Sequence, residues 1–272
     1  MIDNASYLLE QGCNIASERC EGINDNMYDS HYHEFYELYY LESGERYHLI
    51  EDRVYHITPG QFIFFKPYIL HRSYGEKNVP FSRLLIYFRK STVLSNELNA
   101  ALQSLTGAYQ LSPQDNSIFY QLMNHILDEQ ANQQPFHEEY LYSTLNTLLI
   151  NFFRNNHERI KQMQKNRVTD VITYINAHYA EKLTLEHLSH TFFISPYYLC
   201  RKFKTYTNAT IVQYINAVRI IQAQKMLFSS RKNITEISND VGFDSLTHFE
   251  RVFKRITGST PRAIRKRQFT RL

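Results

Sequence analysis

The sequence predicts a two-domain α+β protein: an amino-terminal antiparallel β-barrel with helices, then an all-α carboxy-terminal domain with two helix-turn-helix modules. Three observations predict it. Short β-rich runs separated by turn residues fill residues 31–89, helical apolar spacing takes over after Leu94, and one helix-pair pattern occurs twice between residues 183 and 260. A chain of 272 residues can bury two modest cores, and domains 1–160 and 161–272 are expected.

The β-rich runs are EFYELYYL, RYHLI, RVYHI, QFIFF and RLLIYF, punctuated by ESGE, EDR and TPG. Their aromatic and β-branched content and their spacing mark an antiparallel sandwich or small barrel. Helices are predicted over residues 117–130 and 137–156, the second with an apolar stripe of Leu141, Leu145, Leu148, Leu149, Phe152 and Phe153. The stripe is broader than a lone surface helix needs, so homodimerisation through it is expected, with packing against the barrel as the alternative. The polar run from Arg154 to Arg167 reads as a linker or a frayed helix end.

Charge divides the chain in the same place. Residues 1–164 hold 12 Lys and Arg against 20 Asp and Glu, whereas residues 165–272 hold 18 against 7. An acidic body joined to a basic third points to a polyanionic partner for the basic part, since cations that neutralise phosphates release counterions. The 43% hydrophobic and 21% charged residues argue against disorder. Three cysteines without CxxC or CxxH spacing support neither a disulfide framework nor a zinc finger, and fit a cytoplasmic protein. No apolar stretch is long enough to span a bilayer, so no membrane partner is expected.

The repeat sets residues 183–210 beside 233–260, aligning Leu188 with Ile237, Phe192 with Val241, Leu199 with Phe249, and Phe203-Lys204 with Phe253-Lys254. Each copy reads as a helix opened by Thr184 or Thr235, a tight turn, and a second helix opened near Ser195 or Asp244/Ser245. In the second copy Gly242 permits the turn, Phe249, Val252, Phe253 and Ile256 face inward, and Thr247, His248, Arg251, Lys254 and Arg255 stay outside. The first copy packs Leu199 and Phe203 and exposes Tyr197, Tyr198, Arg201 and Lys204. A helix with cations and hydroxyls on one face suits a DNA major groove.

These residues resemble the carboxy-terminal signature of AraC/XylS-type transcription regulators, carried here by Gly242, Phe243, Phe249, Phe253, Lys254, Gly258, Thr260, Pro261 and Arg265. The first copy matches through Leu188, Ser195, Leu199, Phe203 and Lys204, and YINAVRIIQAQKML resembles the connecting helix, with Arg219 and Ala223 in place. Phe193 stands where the first turn usually has glycine, Asn208 replaces a later glycine, and Ile264 stands where tyrosine is common. The resemblance implies that each second helix enters one of two successive major-groove segments, spaced by the connecting helix. It implies Tyr197, Cys200 and Arg201 in the first module and Leu246, Thr247, Glu250 and Arg251 in the second as base readers, beside Lys204 and Lys254. Arginine can grip guanine, glutamate can accept from cytosine, and leucine or threonine can meet a thymine methyl.

In the amino-terminal half, HYHEFYELYYLESG has the form H-x-H-x3-E-x6-G, which predicts His31, His33 and Glu37 on one side of a strand, with His71 on a later strand. Three imidazoles and a carboxylate suit a divalent transition metal. The spacing resembles the first cupin motif, whereas Lys66, Tyr68 and Gly75 depart from the second. AraC-type regulators commonly carry such a cupin-like sensing domain, and the resemblance implies that similar histidines border a small-molecule pocket. A ligand pocket, a structural polar network, metal-assisted sensing and residual enzyme chemistry all remain open here; the expectation is an effector site of His31, His33, Glu37, Tyr39, Arg46 and His71 with no cofactor or resident metal. Tyr39 suits a sugar face and Arg46 an acidic ligand, and each equally suits a core or rim.

The expected protein is a non-enzymatic, DNA-binding transcription regulator responding to a small molecule, with a sugar among the candidates. Its expected partners are double-stranded DNA, the effector, a second copy and RNA polymerase; activation follows from the resemblance alone. The competing readings are a metal-dependent cupin enzyme fused to DNA-binding modules and a ligand-independent architectural protein.

Overall fold

The computed structural model describes residues 4–23, 30–76, 78–155, 157–163 and 166–269. Two compact units divide at residues 164 and 165.

In the first unit, α1 (Asn4–Glu10) precedes β1 (Ile15–Ile23), β2 (Tyr36–Ser43), β3 (Arg46–Ile50), β4 (Arg53–Ile57), β5 (Phe62–Phe65), β6 (His71–Tyr74) and β7 (Pro80–Phe88). Then come α2 (Asn96–Ser104), β8 (Gly107–Leu111), α3 (Pro113–Asn132), α4 (His137–Arg154) and β9 (His157–Arg159). All pairings between these strands are antiparallel, in a six-stranded sheet of order β1-β7-β2-β5-β8-β9 and a three-stranded sheet of order β4-β3-β6. The expected barrel therefore takes the form of two facing antiparallel sheets, with no ladder closing them into a ring among the described residues.

Alternation along β2 explains why its aromatic run is buried on both faces. Tyr36, Leu38 and Tyr40 join Leu84, Ile86 and Phe88 of β7 in a core beneath α3 and α4, while Tyr39 and Leu41 turn to the opposite face. There they meet Ile50 of β3 and Tyr55 and Ile57 of β4, so the second core lies between the sheets. The stripe on α4 belongs to the first core: Leu141, Leu145, Leu148, Leu149 and Phe152 are 5% exposed or less, and Phe153 packs partly against them. This corrects the reading of that stripe as a face for a second copy, because the sheet beneath it already covers it.

The second unit contains α5 (Arg167–His178), α6 (Leu185–Thr191), α7 (Pro196–Thr207), α8 (Ile211–Ser229), α9 (Ile234–Asp240), α10 (Leu246–Thr257) and α11 (Pro261–Phe269). The side chains of Thr184, Ser195 and Ser245 accept from the backbone N–H three residues on, capping α6, α7 and α10. At α9 the cap is Asn233 rather than Thr235, because Asn233 and Glu236 form a reciprocal capping box that opens the helix earlier. The connecting helix α8 buries residues around its circumference, contributing Tyr214 beside Phe203 in the first module and Ile220, Ala223 and Leu227 to the second core. Arg219 ties α8 to the turn after α5 by donating to the carbonyls of Tyr179 at 2.7 Å and Glu181 at 2.8 Å. Gly242, at φ 87°, approaches the Ala180 carbonyl so closely that a Cβ would collide with it.

Candidate effector site and nucleic-acid interface

Because side chains alternate along a strand, the space between the sheets receives Glu37, Tyr39, Arg46, His48, His71, Ser73 and Arg83 as a file of buried polar groups. At one end stand the three histidines and Glu37. His31 and His33 precede β2 rather than lying on it with Glu37, so the single-strand placement is corrected; a bridge between His31 and His71, with both N–H···O bonds at 2.9 Å, brings them together instead.

The hydrogen bonds set the chemistry of this end. Nδ1 of His33 lies 2.7 Å from the Phe35 carbonyl and Nδ1 of His71 lies 2.8 Å from the Ile69 carbonyl. A carbonyl only accepts, so both Nδ1 atoms carry protons. The Nε2 atoms then face Glu37 Oε2 at 2.8 Å and 3.3 Å, near enough to share a proton with the carboxylate or to bind one metal ion with it. Burial raises the Glu37 pKa, but the hydrogen bonds from His33 and His71 outweigh it and hold the carboxyl well below the usual range. Burial, reinforced by His71 and His33, pushes His31 well below the usual imidazole value. Ring nitrogens of His31, His33 and His71 lie within 4.8 Å of one another, a separation that fits ligands of one divalent transition metal, with Glu37 available as the fourth.

Farther along, Arg46 Nη2 and Nε lie 3.3 Å and 3.4 Å from Ser73 Oγ, and its guanidinium carbon sits 4.1 Å from the centre of the Phe81 ring. Arg83 reaches the same ring at 5.7 Å and that of Tyr39 at 5.5 Å. The Tyr39 ring stands edge-on to His48 at 4.5 Å. Both ring nitrogens of His48 and Nε of Arg83 are buried without a hydrogen-bond partner. Burial first, and Arg46 second, push the His48 pKa well down, keeping the imidazole neutral. Sequence reasoning singled out Glu37, Tyr39, Arg46 and His71 but missed His48, Ser73 and Arg83. His48 carried a signal, since it lies two residues after Arg46 and so on the same face of β3.

In the second unit Tyr197, Cys200, Arg201 and Lys204 are exposed on α7, and Thr247, Arg251 and Lys254 on α10. Leu246 and Glu250 are half-buried, and Leu246 packs against the module core. The Arg201 guanidinium lies 5.8 Å from the Tyr197 ring centre. Phe193, 86% exposed, occupies the first turn at φ 53°, the place held in the second module by Gly242. Asn208 ends α7 at φ 55° as Gly258 ends α10 at φ 71°.

Comparison with known proteins finds a family model described as an AraC-like ligand binding domain over residues 16–148 and one described as a helix-turn-helix domain over residues 188–267. The arabinose operon regulatory protein of Escherichia coli (strain K12) is 26% identical over 213 residues, spanning 76% of this chain and 72% of that one. AdaA of Bacillus subtilis (strain 168), a bifunctional transcriptional activator/DNA repair enzyme, is 38% identical over 107 residues, or 39% of this chain. The chain spans 51% of the length of that curated relative. Among solved structures, the carboxy-terminal domain of AraT, a response regulator from Geobacillus stearothermophilus, is 29% identical; the match covers 38% of this chain and 85% of that chain with a TM-score of 0.37. Among the described residues no helix is long and apolar enough to cross a membrane.

Proposed function

The chain belongs to the AraC/XylS family of regulators, and from that premise we propose that it is a sequence-specific transcription regulator whose DNA binding answers to a small molecule held between the two sheets. Residues 1–160 act as the effector-binding part and residues 161–272 as the DNA reader. One observation carries the reading: two capped helices, α7 and α10, expose Arg201 and Lys204, and Arg251 and Lys254, at equivalent positions of a repeated module. Tyr197, Cys200, Arg201, Thr247 and Arg251 are the readers this exposure favours. Leu246 and Glu250 keep only part of their surface for that role. The protein acts as a cytoplasmic activator rather than an enzyme, as a homodimer that engages RNA polymerase, and its dimer face lies elsewhere than the covered stripe of α4.

Footprinting the full-length protein on its own genome supplies the operator, and titrations of that operator and of random DNA test the assignment. Arg251→Ala is expected to cost about 1 to 3 kcal/mol on the operator and much less on random DNA. An equal loss on both assigns Arg251 to phosphate.

A second reading, metal-assisted sensing, is favoured by the convergence of His31, His33 and His71 on Glu37. Here these residues hold a divalent ion whose charge replaces the protons on the two Nε2 atoms. Cobalt titration of the purified protein tests it: a tetrahedral absorption band lost in His33→Ala supports the site, and no band removes it.

A further inference from the structure

Arg83 is a buried cation that no carboxylate meets. It is 6% exposed, and among the described residues no ion pair engages it. Glu37 is met by His33 and His71, and Glu18 of β1 accepts from the Ala5 backbone N–H at 2.9 Å. A guanidinium taken out of water without an opposite charge is costly. Burial accordingly opposes the charge on Arg83, yet Tyr39, Cys20 and Tyr87 outweigh burial and hold its proton more firmly than in an ordinary arginine. Each of the three supplies a negative charge only by losing a proton of its own. A thiol does so near about pH 8.5 and a phenol near about pH 10, so Cys20 is the group that becomes the counterion first. For Tyr39 burial moves ionisation farther off still.

Strand register builds this pairing. Cys20 of β1 stands directly opposite Arg83 of β7 in the antiparallel ladder, which sets the two side chains on one face with their Cβ atoms about 5 Å apart. The guanidinium donates a hydrogen bond to the Cys20 sulfur. Because β1 is the edge of its sheet, Cys20 packs only partly against the core between the sheets and stays half-exposed. Arg46 of β3 lies over the same Phe81 ring as Arg83 and adds positive charge on that side. A partly exposed thiol against a fixed cation is the setting in which thiolates form and react. The same guanidinium keeps one donor, Nε, without a partner, and an oxygen atom seated against the sulfur gives it an acceptor.

We propose that Cys20 is a thiolate paired with Arg83 and is the site at which a small hydroperoxide oxidises this protein. The thiolate sulfur attacks the terminal peroxide oxygen, so that an S–O bond forms and the O–O bond breaks. Sulfur loses two electrons and the peroxide gains them; hydroxide or alkoxide leaves and takes a proton from water, and Cys20 is left as a sulfenic acid.

Alkylation of the folded, full-length protein by iodoacetamide tests the pairing, with peptide mapping to separate Cys20 from Cys13 and Cys200. A thiol of ordinary acidity reacts about 300 times faster at about pH 9.5 than at about pH 6, because the thiolate is the nucleophile. Wild-type Cys20 is expected to gain less than about tenfold over that range, and the steep rise is expected to return in Arg83→Met. A variant that merely loosened the fold reacts faster at both pH values, so the change in steepness reports the charge. A rise of about 300-fold on wild-type Cys20, or a Cys20 that does not react in the folded protein, ends the proposal. Hydrogen peroxide with dimedone at neutral pH tests the oxidant. An adduct on Cys20 that falls about tenfold in Arg83→Met is expected, and no adduct on wild-type Cys20 overturns the hydroperoxide assignment.

Discussion

Phe193 holds a left-handed backbone conformation, φ 53°, with 86% of its surface exposed. A side chain with a Cβ is strained there, and little packing offsets the strain. Phe193→Gly is therefore expected to stabilise the protein by about 1 kcal/mol, read as a higher denaturant midpoint at unchanged slope; a lower midpoint shows that the phenyl ring packs in solution. His48 supplies a prediction in pH. Its folded pKa is depressed by burial and by Arg46, with Arg83 and His71 acting in the same direction and Glu37 opposing. Above the ordinary imidazole value, about 6.5, both states are neutral and the residue contributes no slope. Below it the unfolded chain takes up a proton that the folded chain refuses, so stability falls by up to about 1.4 kcal/mol per pH unit as pH drops. His48→Phe should reduce the slope of the unfolding free energy between about pH 6.5 and 5, leaving the share of His31, whose pKa is depressed in the same direction; an unchanged slope assigns the acid sensitivity elsewhere.

At the level of elements, α4 gives the sharpest expectation. Leu148 is 0% exposed within the core beneath the helices, so Leu148→Ala should cost about 2 to 5 kcal/mol in the stability of the first unit. A loss below about 1 kcal/mol would mean the helix lifts from the sheet. Elements with a strong period were legible in the sequence, namely α3, α4 and both helix pairs, as were the aromatic strands β2, β3, β4, β5 and β7. β1, β8 and β9 were not, and of β6 only the place of His71 on a strand was. In β1, IASERCEGI, charged residues occupy the solvent-facing part of an edge strand and hide its alternation; β9 is three polar residues long, and β8 is a short run beyond the point where helical spacing takes over. β6, HRSY, is polar because it turns His71 and Ser73 into the space between the sheets. The same physics limits reading of the site. His71 and Glu37 stood out by residue type, whereas Arg83 sits in an apolar run where only the strand register tells inside from outside.

Over the whole molecule, the acidic and basic parts keep to separate units, a formal −8 over residues 1–164 and +11 over 165–272. In the proposed function, opposite fields on one chain suit the basic unit to phosphates and leave the acidic unit to the recognition of a small molecule. The two reading helices, in turn, share α8, whose 19 residues extend about 28 Å, close to one turn of duplex. A single alanine inserted after Gln222 advances the second half of α8 by about 1.5 Å and rotates it by about 100°. Operator affinity is then expected to fall to that of a one-module site, while binding to random DNA persists; retention of full affinity would mean the modules engage DNA independently. A rigid helix of this kind is a phase lock. In the proposed function it commits an operator to a fixed angular offset between its two half-sites, so that gaining or losing about five base pairs between them turns the second half-site to the far side of the duplex. The length between half-sites is therefore constrained, in the proposed function, alongside the bases that the two helices read.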